Sequence, residues 1–100
     1  MPTYVVVFRF HEDLTYHDRH GSFIAEAQRL GRTWADTPSF FAIQTDETID
    51  ALITRLDTRT SIQKDRDMFF AIDTETKSAC IWGKVHDPSI FTIIPYLMTA

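Results

Sequence analysis

Residues 3–10, TYVVVFRF, decide the fold. The run is β-branched and aromatic, which selects a strand over a helix. Alternation places Tyr4, Val6, Phe8 and Phe10 on one face and Val5, Val7 and Arg9 on the other. Both faces begin apolar, so the strand belongs in the middle of a sheet, with Arg9 charged at its end. The stretch that follows, HEDLTYHDRHG at residues 11–21, holds three histidines and three acids. It reads either as a site or as a wet loop beyond a strand end.

Outward from this strand the elements alternate. A helix is expected over roughly Tyr16–Leu30, because Phe23, Ile24, Ala27 and Leu30 form one apolar stripe. Gly31 follows as a helix C-cap. Gly21 is awkward inside that helix, so a start at Ser22 is the alternative. RTWADTPS is a short strand or turn broken by Pro38. SFFAIQT is a second clear strand, and Asp46 stands ready to cap a helix whose stripe is Ile49, Leu52, Ile53 and Leu56. DTRTSIQKDRD is polar apart from Ile62. MFFAIDT and SACIWGKV then pair as a hairpin around ETK. In the tail, Asp87 and Pro88 open a short helix or an apolar segment, and Pro95 interrupts it. The order is β-α-β-β-α-β plus a last strand and tail. That is an α+β, ferredoxin-like βαββαβ plan with an antiparallel sheet and helices on one face. The other face carries Val5, Val7 and part of the aromatic set, so it needs a cover, most simply a second copy of the chain.

Bulk composition sets bounds on function. One hundred residues fit one domain, residues 1–100. No apolar run approaches the length of a membrane span, and MPTYVVV lacks the basic region of a signal peptide. The single cysteine, Cys80, rules out an internal disulfide and fits a reducing cytoplasm. A net charge of −4 disfavours nonspecific nucleic-acid binding.

The candidate chemistry is thin. Arg9 reads as an anchor for phosphate or carboxylate, or as a strand-end side chain reaching for water. His11, Asp13, His17 and His20, with Glu12 and Asp18, are metal-ligand or general-base types. No HxxxH or HExxH spacing supports a metal site, so a solvated loop is the plainer reading. Cys80 reads as structural, with no neighbouring base to hold a thiolate. The aromatics read as core or dimer interface rather than base-stacking platforms. Arg55, Arg59, Lys64 and Arg66 interleave with acids and read as a salt-bridged surface. No nucleophile elbow, phosphate-cradling Gly loop or dinucleotide fingerprint is present, so no cofactor is expected.

TYVVVFRF, a helix closing on LG, SFFAIQTDETIDALITRL, DMFFAIDT and CIWG together resemble the small SinR-like proteins. That group is similar in fold to the CRISPR-associated Cas-two endonucleases, with the GhoS-type antitoxin endoribonucleases as a further relative. The resemblance spans residues 3 to about 84 and implies a cytoplasmic, ferredoxin-like homodimer. In the Cas-two relatives an Asp closes the first strand and, across the dimer, holds a divalent metal for phosphodiester cleavage. Here Arg9 stands at the matching position, and a guanidinium repels a cation. The resemblance therefore implies a regulatory or binding dimer, with RNA or a toxin protein as partner. The alternative is a metal-independent endoribonuclease using Arg9 and one of the histidines.

Overall fold

The computed structural model describes all 100 residues, Met1–Ala100. The elements are β1 (Thr3–Arg9), α1 (Tyr16–Leu30), β2 (Arg32–Thr37), β3 (Phe40–Gln44), α2 (Ile49–Thr58), β4 (Met68–Asp73), β5 (Ala79–Gly83), α3 (Ile90–Ile93) and β6 (Leu97–Thr99). They build one six-stranded sheet in the order β2-β3-β1-β4-β5-β6. β1 is central, as its two apolar faces require. It runs antiparallel to β3 on one side and to β4 on the other.

The inner face of the sheet carries α1 and α2. Tyr4, Val6 and Phe8 of β1 bury there, with Phe41 and Ile43 of β3, Phe69 and Ala71 of β4, and Cys80 and Trp82 of β5. Phe23 at the centre of α1 packs its ring 5.1 Å from Phe8, 5.0 Å from Phe10 and 5.1 Å from Phe69. These tilted and edge-on geometries suit aromatic quadrupoles and fix the height of the helix above the sheet. Leu52, Ile53 and Leu56 bring α2 onto the same core. Cys80 lies buried within it, and burial pushes its thiol pKa up.

Helix boundaries follow local chemistry: α1 spans the expected Tyr16–Leu30 and closes on Gly31, and the cap expected for α2 is corrected. α1 continues through Gly21, and its N-cap is Thr15 rather than Ser22. Gly31 has extended backbone, φ −178°, so it is not a left-handed cap. Its lack of a side chain instead admits the carbonyl of Gln44, which would stand 2.2 Å from an added Cβ. α2 is capped by Thr48, whose hydroxyl accepts the Ala51 N–H at 3.2 Å, and Asp46 lies outside it.

The sheet is mixed rather than antiparallel, because β6 runs parallel to β5. Nor do all helices share one face. After β5 the chain turns back across the outer face, and α3 lies there, so β6 enters alongside β5 in the same direction. Ala79, Ile81 and Leu97 bury in this second cluster, against Met68, Phe70, Ile72, Val85, Ile90 and Ile94. The tail thus covers the β4–β5 half of the face that a second copy was expected to cover.

β5 ends at Gly83 with φ +97°, and a Cβ there would meet the Asp67 carbonyl oxygen at 2.0 Å. Gly83→Ala combines left-handed strain with a backbone collision, and the expected cost is at least about 2 kcal/mol. Gly21→Ala meets nothing within 4 Å and removes a flexible residue from mid-helix; its expected gain is about 0.5–1 kcal/mol. Opposite shifts in thermal unfolding midpoint check the pair.

Candidate functional site

The residues beyond β1 assemble around a buried ion pair that the sequence reading did not single out. Arg19 is 2% exposed and Asp67 0%. Arg19 Nη1 donates to Asp67 Oδ1 at 2.5 Å. The same oxygen accepts the His11 N–H at 2.9 Å, and Oδ2 accepts the Gln63 N–H at 2.8 Å. Arg19 also donates from Nε to Thr15 Oγ1 at 3.0 Å, from Nη2 to Asp13 Oδ1 at 3.0 Å, and from Nη2 to the His11 carbonyl. Backbone bonds extend the junction, since Lys84 N–H donates to the Asp67 carbonyl at 2.9 Å. One carboxylate and one guanidinium therefore tie together the β1–α1 loop, the first turns of α1 and the α2–β4 loop, and the Asp67 backbone adds the end of β5.

Asp13 belongs to this junction. It accepts from the Thr15 N–H at 2.9 Å and the Thr15 hydroxyl at 2.8 Å, and Arg66 Nη1 donates to its Oδ2 at 2.8 Å. Those Thr15 bonds, followed by the Arg19 contact, hold its carboxyl well below the usual range. For Arg19, burial works against the charge. Its hydrogen bonds to Asp67 and Asp13 more than offset this, so its pKa stands above the ordinary value. Its contacts to Thr15, Arg19 and Arg66 make Asp13 a clamp between α1 and the α2–β4 loop.

The histidines do not converge. His11 is exposed and enters the junction through its backbone alone. The His17 ring stands edge-on to Tyr16 at 5.5 Å. The His20 ring lies 5.8 Å from that of Tyr16 and 5.6 Å from that of Phe8, with Nε2 3.2 Å from the Pro38 carbonyl. No three His, Cys, Asp or Glu side chains come together in a metal-holding group. Glu12, Asp13, Tyr16 and His17 share one open depression.

Arg9 points away from that cluster. Its side chain lies on the outer face beside Met68, its cross-strand neighbour, and Nη2 donates to the Lys84 carbonyl at 2.7 Å. It lines a cavity of about 330 Å³ with Met68, Phe70, Ile81, Ile90 and His86. Sequence reasoning missed His86, because the tail that carries it was left unplaced. Arg19 was legible in principle, since it stands four residues before Phe23 on the apolar stripe, where a charge needs a partner.

No protein-family model matches the chain, no curated protein matches it, and no solved structure matches it.

The junction makes two predictions. Arg19→Met or Asp67→Ala strands a buried charge, and each is expected to cost about 3–5 kcal/mol. Urea unfolding of the single variants checks this. Asp13 binds its proton less readily in the folded chain than in the unfolded one. Its contribution is therefore complete above about pH 4 and is lost as pH falls further. Asp13→Asn is expected to flatten the fall in stability below pH 4, as measured by unfolding midpoints across an acid series.

Proposed function

We propose that this chain is a homodimeric binding protein with the ferredoxin-like plan of the SinR and Cas-two-like group, lacking that group's paired-carboxylate metal chemistry. Three features support the plan. The strands β2-β3-β1-β4 are adjacent in that order, each antiparallel to its neighbour. Each β-α-β unit leaves room for one strand between its own two, which is the split arrangement. And α1 and α2 share the inner face.

The observation that carries the dimer is the half of the outer face that the tail leaves uncovered. Val5, Val7, Phe40 and Ala42 are only half-buried there. Trp34 on β2, opposite Ala42, is 53% exposed and packs edge-on to Phe40 at 6.0 Å. Four adjacent strand positions and an indole form a flat apolar strip, and a sheet face of this kind gains by excluding water against its own copy.

The observation that speaks against the metal-dependent nuclease mechanism is Arg9. It ends the outer-face row of β1, where an acid would be needed to share a metal across the dimer. A guanidinium at that position cannot ligate a divalent cation. RNA or a toxin protein is the partner class that the group suggests for the finished dimer.

Sedimentation velocity at micromolar concentration is expected to give a dimer, and Val7→Glu a folded monomer with an unchanged far-ultraviolet spectrum. A wild-type monomer throughout that range overturns the reading. RNA cleavage that survives chelation and disappears in Arg9→Ala would replace it with the endoribonuclease.

A further inference from the structure

We propose that the cavity between the outer face and the tail is a binding site for a small amphipathic monoanion, a medium-chain aliphatic or single-ring aromatic carboxylate. Its volume of about 330 Å³ lies at the lower end of the range of small-ligand pockets. The floor is Met68, Phe70 and Ile81, and Val85, Ile90 and Ile93 form the tail side. Those six side chains present carbon and sulfur only, and they take an apolar body of roughly six to ten carbons.

The polar groups sit apart from that floor. Arg9 uses one N–H, from Nη2, on the Lys84 carbonyl, and no acid lies within ion-pair distance of it. A guanidinium has five N–H donors in a flat fork, and a carboxylate accepts two of them side by side. The Lys84 bond holds the group at the cavity while leaving the rest of the fork free. Ser89 and His86 add a hydroxyl and an imidazole to the lining.

Asp87 also lines the cavity, and it decides the charge of the ligand. Its Oδ1 accepts the Ser89 N–H at 3.0 Å, and its Ser89 hydrogen bonds hold its carboxyl below the usual range, so it is ionised at neutral pH. Arg9 and Asp87 together make the lining neutral overall. A monoanion with an apolar body gains the guanidinium fork without a large net repulsion. A phosphate dianion meets the Asp87 charge twice over and has nothing to place on the apolar floor.

The site lies within one chain, so it does not rest on the dimer. Calorimetric titration of the full-length protein with octanoate, octanamide and inorganic phosphate tests it. Octanoate is expected to bind, octanamide roughly tenfold or more weakly, and phosphate not at all. Arg9→Ala is expected to bring octanoate down to the octanamide level, with circular dichroism confirming the fold. Absence of octanoate binding, or equal binding of octanoate and octanamide by the wild-type chain, overturns the proposal without reference to any variant.

Discussion

The guanidinium of Arg19 and the carboxylate of Asp67 are both withdrawn from water and meet at 2.5 Å, and four otherwise separate segments are held by what surrounds them. Desolvating two charges costs several kcal/mol each, and their attraction alone does not reliably offset that. What tips the balance is complete satisfaction. Asp67 accepts from the His11 and Gln63 amides as well as from Arg19, and Arg19 reaches Thr15, Asp13 and His11 besides. A network with every member paired is rigid, and removing any one member leaves another stranded.

That rigidity has consequences along the chain. The loop from β1 into α1 is fixed at its first residue, so the helix starts at Tyr16 and carries Phe23 to the middle of the aromatic core. The Asp67 carbonyl bonds the Lys84 amide and presses on Gly83, so β5 must end in a left-handed residue there. From that turn the chain doubles back over the outer face. The cavity beside Arg9 and the covered half of the sheet both follow from this reversal. The Lys84 amide and carbonyl then join the two ends of the arrangement, one bonded to Asp67 and the other to Arg9.

Most of the secondary structure was legible from periodicity. TYVVVFRF is the central strand because both its faces are apolar. The stripes at Phe23, Ala27 and Leu30 and at Leu52, Ile53 and Leu56 are the helices. Capping was harder to assign, because Asp46 and Thr48 are both good N-caps and only the folded backbone selects between them. The candidate site was legible as residue types but not as a grouping. His11, His17 and His20 lie close in sequence yet belong to no metal-holding group, while Arg19 and Asp67 lie 48 residues apart and touch.

The sequence by itself determined which residues are apolar and at what period. It thereby determined the strands, the two long helices, the central place of β1 and the charge that closes it at Arg9. Tertiary structure alone decided where the charges go and what covers the outer face. The reason is physical. Hydrophobic burial is nondirectional and leaves its imprint as a local period, whereas a hydrogen-bonded ion pair depends on angles and distances between groups brought together only by the finished fold. The tail is the clearest case, since IFTIIPYL is apolar without a clean period, and only the turn at Gly83 directs it onto the sheet.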